Sequence, residues 1–202
     1  MDLVQSTALA TGLAWASGFR LYAAVLLLGL LGRYEVVSLP SGLSFLQDDW
    51  VLWVSGILAA GEFLADKIPA FDSVWDAVQT FVRIPAGALL AWGVFRESAP
   101  AVQFAAALVG GAITSGTHLT KAGTRALINT SPEPFTNWGA SVSEDLTLLG
   151  GLYLIWHYPW LFLGLLLLFL LLSAWLLPKL WRSIRRVWQR LRGSASPPLP
   201  AG

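Results

Sequence analysis

The chain has 202 residues, 55% of them hydrophobic and only 12% charged, with a mean hydropathy of +0.62. Soluble domains carry about 25% charged residues, so these figures exclude a disordered chain, a nucleic-acid-binding module and an ordinary water-soluble enzyme. The formal charge is +1, Cys is absent and His occurs twice, which removes disulfides, thiolate nucleophiles and cysteine or multi-histidine metal centres.

The opening segment, Met1 to Gln5, has no basic stretch and no Ala-x-Ala pattern, so the first apolar stretch is expected to be retained. A membrane helix needs roughly 20 mostly apolar residues. Six stretches approach that length: Leu3–Gly32, Trp50–Ala65, Val74–Phe95, Ala101–Ile128, Trp138–Trp156 and Trp160–Leu177. The expected fold class is all-α, a polytopic transmembrane helix bundle of about six spans. The eleven Trp and ten Phe suit two lipid–water boundaries.

Orientation follows the basic residues. Lys179, Arg182, Arg185, Arg186, Arg190 and Arg192 form a block after the sixth span, while the first connection holds Arg33 against Glu35, Asp48 and Asp49. Six crossings then place both termini in the cytoplasm of a bacterial inner membrane. Leu180, Trp181, Ile184, Val187, Trp188 and Leu191 recur at helical spacing, so 179–193 reads as a basic amphipathic helix on the anionic leaflet. Arg182, Arg185, Arg186 and Arg190 are its lipid-headgroup residues, and topology fixing alone is the simpler account of them. The tail 194–202 is Pro/Ser-rich and is expected to be disordered.

Ser17-Gly18-Phe19-Arg20 in span one resembles Ser115-Gly116-Thr117-His118 in span four. Two three-span halves, 1–97 and 98–178, would be inverted relative to each other, the plan of many small transporters, with sites between the repeats. Chance recurrence of Ser-Gly is the competing account. Helix breaks are expected at Ser17, Gly18, Ser115 and Gly116, and at Pro85, which removes a backbone hydrogen bond.

The ionisable residues inside spans carry the functional signal, because each costs about 2.5–3.5 kcal/mol in lipid unless it pairs or meets water. They are Arg20, Glu62, Asp66, Arg83, His118, Lys121, Arg125, Glu144 and Asp145, with Lys67 at a boundary. Glu62 and Asp66 lie one turn apart, and His118, Lys121 and Arg125 share one stripe. Together they form a candidate substrate or ion pathway, whose cations and broken-helix N-termini suit an anionic or zwitterionic solute. Glu144 or Asp145 is a candidate proton carrier. A set of structural ion pairs is the opposing reading.

Asp72 or Ser73 is expected to cap the third helix, with Asp76 in its first turn, and Thr136 or Asn137 to cap span five. The Pro-rich linker 129–138 either gates or merely turns the chain. Lone His118 reads first as a hydrogen-bonded structural residue, and His157 as the tip of an interfacial hairpin. Small-residue faces, including Gly110-Gly111 and Gly150-Gly151, would let copies approach as a homo-oligomer.

The combination of Ser17–Tyr22, Glu62 with Asp66–Pro69, Asp72–Asp76, Arg83–Gly87 and His118–Arg125 followed by Asn129–Pro134 resembles an uncharacterised bacterial integral-membrane family, domain of unknown function 4126. The resemblance runs from about Leu3 to Trp156 and implies a multispanning membrane protein without implying a reaction. The expected function is a small transporter or channel for a polar or anionic solute. The alternative is a membrane-embedded structural or lipid-interacting partner protein. No catalytic residue, metal ligand or cofactor is assigned, and an intramembrane enzyme using the paired acids is disfavoured for want of a catalytic motif.

Overall fold

The computed structural model describes residues 1–129 and 134–193, which form an all-helical bundle with no strand among them. Its helices are α1 (Leu3–Arg33), α2 (Asp49–Ala65), α3 (Pro69–Val94), α4 (Pro100–Ile128), α5 (Pro134–His157) and α6 (Pro159–Gly193). A short 3-10 helix, Ser41–Gln47, joins α1 to α2. The linker residues 130–133 and the tail 194–202 lie outside the described residues.

By length and composition three segments can cross a membrane: Leu3–Arg33, Val74–Val94 and Pro159–Arg186. In α6 only 17% of the apolar window is buried, so its Leu/Phe surface faces outward as a lipid-facing helix does. Helices α2, α4 and α5 match the expected spans in position. Their apolar surface is interrupted by the charges that the bundle encloses.

Helix α1 departs from a straight span. Arg20 sits at φ −145°, ψ 66°, outside helical geometry, and divides α1 into arms Leu3–Phe19 and Leu21–Arg33. At 1.5 Å per residue the arms are about 25 and 20 Å long, each short of a ~30 Å hydrocarbon core. Both arms start or end at the same end of the bundle. Leu3, Thr7, Ala10 and Thr11 line a cavity with Ala91, Phe95 and Val102, placing the first arm beside the α3–α4 turn. Gly29 packs on Leu46 and Leu52, while Gly42 packs on the Gly93 carbonyl and Arg96. Ser41 Oγ donates to Glu97 at 2.6 Å. The second arm therefore returns to that same turn. A straight 31-residue helix would separate its ends by about 46 Å. Arg20 is the vertex of a V.

Two of the expected breaks are absent. Helix α4 runs unbroken through Ser115-Gly116. Thr114, Ser115, Thr117, Thr120 and Thr124 each return a hydroxyl hydrogen to the carbonyl four residues back, which satisfies these groups without leaving the helix. Pro85 lies inside a continuous α3. The capping expectations are also corrected. Helix α3 begins at Pro69 behind Ile68, so Asp72 and Ser73 lie inside the helix. Helix α5 begins at Pro134, so Thr136 and Asn137 do too.

The two Ser-Gly segments meet. A Cβ on Gly18 would stand 2.5 Å from Thr117 Cβ and 2.9 Å from the His118 backbone nitrogen. Backbone cannot withdraw as a side chain can, so Gly18→Ala is expected to destabilise by about 1–3 kcal/mol, read from thermal unfolding in detergent. The core is largely Leu and Ala, and aromatics join the first arm to α6: Trp15 meets Phe19 of its own arm and Phe162 and Phe169 of α6 edge-on. Gly151 admits the Trp15 ring to α5.

Candidate functional site

The break at Arg20 determines the chemistry around it. A helix end leaves its last carbonyls without intrahelical donors, and in α1 those carbonyls face buried cations. Arg83 Nη1 donates to the Gly18 and Phe19 oxygens at 3.0 Å each. Lys121 Nζ donates to the Phe19 oxygen at 2.9 Å. Non-helical backbone at membrane depth is tolerated where protein encloses it, and here two side chains from α3 and α4 supply the missing donors. The negative end of the first arm's dipole also favours cations at this point.

Around this vertex α2, α3, α4 and α5 contribute one contiguous ionic centre. Arg20 reaches Asp66 at 2.7 Å, Asp145 at 3.0 Å and Glu144 at 3.5 Å, and its Nη2 donates to the Ser141 hydroxyl and carbonyl at 2.7 and 3.2 Å. Arg83 pairs closely with Glu62 and lies 3.6 Å from Asp76. Lys121 Nζ stands 3.2 Å from Glu144, 3.7 Å from Glu62 and 3.9 Å from Asp66. Arg125 Nε donates to Glu144 at 3.0 Å, Nη2 to Asp66 at 3.4 Å, and Nη1 to the Asn137 carbonyl and side-chain oxygen at 3.2 and 3.3 Å. The four cations and Glu62, Asp66 and Asp76 are almost entirely buried. Only Asp145, with 38% of its side chain exposed, opens outward.

All nine candidate pathway residues fall in or against this centre. His118 is fully buried beside it, with Nε2 2.7 Å from Thr80 Oγ1. Thr80 donates its own hydrogen to the Asp76 carbonyl at 3.0 Å, so Nε2 carries the hydrogen it presents to Thr80. Imidazole Nδ1 is left without a partner.

Two residues exchange roles relative to the sequence reading. Lys67 lies outside the centre, its Nζ 3.1 Å from the Phe63 ring centroid. Loss of solvent lowers its ammonium below the ordinary lysine range, and Arg20 adds to the effect. Asp76, read as a helix-dipole residue, enters the centre. Asp76, Gln79, Thr80 and Arg83 recur at helical spacing on one α3 face, the signal that would have found it. Tyr22, whose hydroxyl donates to Gln79 Oε1 at 2.8 Å, and Asn137 were missed as well.

On the C-terminal helix, Arg182, Arg185 and Arg186 are exposed, as is Trp181. Leu180 packs onto Gly123 of α4. The Arg190 side chain is outside the described residues. Among the described residues no group of three His, Cys, Asp or Glu is arranged to hold a metal ion.

No curated protein and no solved structure matches the chain. A family model does, over residues 7–179, which brings the sixth helix inside a relationship the sequence reading ended near Trp156. The chain belongs to the family described as domain of unknown function DUF4126.

Proposed function

We propose that this protein is a small multi-pass membrane transporter or channel for a polar solute, and that the centre around Arg20 is its pathway, held closed by ion pairs. The observation that carries the reading is the re-entrant break at Arg20. It puts helix-end carbonyls held by side chains, four cations and five carboxylates together inside an apolar bundle. A bundle stabilised by packing alone has no need of such a feature, because a buried pair is often no better than an apolar one of equal volume. Ionisable residues at membrane depth typically mark ion or substrate pathways. With acids outnumbering bases, the charge inventory favours a cationic or zwitterionic solute over an anionic one. No catalysis is proposed.

Placement in the membrane follows from the V of α1. The α2–α3 connection with Lys67 and the basic end of α6 share one end of the bundle, and excess positive charge places that end in the cytoplasm. Because α1 returns to its starting side, the crossings are α2 to α6, and the N-terminus lies outside. This reading differs from the expectation of two cytoplasmic termini. The two halves 1–97 and 98–178 meet at Gly18 and Thr117, but with α1 turned back they hold two and three crossings, so no three-span repeat is proposed. Gly116, Gly139, Gly150 and Gly164 have no neighbour within 4 Å of a built Cβ, leaving room for close approach of a second copy.

Purified protein in liposomes is expected to pass at least one of ammonium, choline, glycine, glutamate or inorganic phosphate faster than protein-free vesicles. Arg20→Gln and Glu144→Gln are expected to return that flux to the background. The alternative, a structural or lipid-associated partner without transport, is favoured by one observation: every cation of the centre is already paired. Absence of flux for the whole panel together with retained anionic lipid on exposed Arg182, Arg185 and Arg186 would support it.

A further inference from the structure

The charges of the centre do not divide evenly. Arg20, Lys121 and Arg125 surround Asp66, Glu144 and Asp145, three against three. At the other end Glu62 and Asp76 both reach the same Nη2 atom of Arg83, and the second cation in reach, Lys121, is shared with Glu144 and Asp66. Lys121 adds only a 3.7 Å contact to Glu62. That end is short of one positive charge while Glu62 and Asp76 are 0% and 3% exposed.

Its oxygens are also short of donors. Glu62 Oε2 and both oxygens of Asp76 have no hydrogen-bond partner, although a buried carboxylate oxygen left unsatisfied costs the full desolvation penalty. His118 does not fill the gap, since its Nε2 hydrogen goes to Thr80 and its Nδ1 is itself unpartnered. The groups facing this end are Arg20 and Tyr22 from α1, Asp66 from α2, Arg83 from α3, and His118 and Lys121 from α4. None brings the missing charge.

We propose that Glu62 and Asp76 form a binding site for one monovalent cation, either a proton or an alkali ion, which serves as the coupling ion of the pathway. The site is built from a two-to-one excess of carboxylate over guanidinium and three open oxygens. The coupling role rests on the transport reading above; the binding does not. Occupancy relieves the negative excess that Glu62 and Asp76 place on Arg83 Nη2, while Nη1 holds the Gly18 and Phe19 carbonyls. Vacancy sets Glu62 and Asp76 in competition for it.

The test is thermal unfolding of the full chain in detergent, across a pH series at fixed sodium and a sodium-for-choline series at fixed pH and ionic strength. Wild type is expected to gain roughly 5–10 °C at about 100-fold saturation in one of the series. Asp76→Asn is expected to flatten that response, and exposed Glu97→Gln to retain it. A response to pH alone identifies the proton, and a response to sodium identifies the alkali ion. A flat wild-type response in both series, or an Asp76→Asn response equal to wild type, overturns the site. If Asp76→Asn fails to fold, Glu62→Gln carries the same comparison. The infrared band of a protonated carboxyl in the wild type, and its loss on alkaline titration, reads the proton arm directly. Cation binding without flux in liposomes would retain the site and remove the transport reading.

Discussion

Arg83→Ala is expected to be the most damaging single substitution, destabilising the fold by about 3–5 kcal/mol, the scale on which breaking a buried pair acts. The guanidinium is 0% exposed and serves three groups at once: the Glu62 carboxylate and the Gly18 and Phe19 carbonyls. Removing it leaves a buried charge on Glu62 and reopens the end of the first α1 arm, because only Lys121 still reaches the Phe19 oxygen. Arg83→Lys is expected to recover only part of the loss. One ammonium cannot reproduce a planar fork with separate nitrogens for the carbonyls and the carboxylate. Denaturant or thermal unfolding in detergent measures both. Wild-type stability in Arg83→Ala would mean that α1 does not depend on this fork.

The second large effect concerns the side on which the chain begins. The chain has no Cys, so single-cysteine variants need no background engineering. Asp2→Cys is expected to react with a membrane-impermeant maleimide in intact cells, and Gln189→Cys only after permeabilisation. Both positions lie away from the ionic centre, and Gln189 is exposed. Equal reactivity of the two from one side would mean that α1 crosses fully and that Arg20 bends a spanning helix instead of turning it back.

Helix positions were legible in the sequence because apolar run length registers directly in composition. All six expected spans coincide with helices, the third overrunning the end of α3 by one residue, Phe95. The reversal at Arg20 was not legible in the same way. Ser17-Gly18 pointed to a local weakness, but the direction of the second arm depends on contacts among Gly29, Leu46, Gly42 and Gly93, distant in sequence. The placement of the N-terminus turns on this reversal, because a crossing α1 and a returning α1 put it on opposite sides. Ser115-Gly116 misled in the opposite sense, since hydroxyls that bond back along their own helix look like breakers in sequence.

The centre was legible in its members but not in its pairing. Intramembrane charge marks a residue as enclosed or functional, which singled out Arg20, Glu62, Asp66, Arg83, Lys121, Arg125, Glu144 and Asp145. Partner choice depends on how four helices rotate, and no spacing rule reports that. Asp76 and Lys67 show the limit. Asp76 lies two turns into α3 because the helix starts at Pro69, and tertiary packing buries it, while Lys67 folds back locally over the Phe63 ring four residues before it.

The central claim is that the enclosed charges work as a pathway and do more than lock the bundle. Asp145 separates these roles, because it touches Arg20 at 3.0 Å yet is 38% exposed, so removing its charge has a small structural cost, about 0–1 kcal/mol. The decisive measurement is flux through Asp145→Asn in liposomes beside its unfolding midpoint. The account expects a clear loss of flux at a midpoint close to wild type. Unchanged flux at an unchanged midpoint would contradict it.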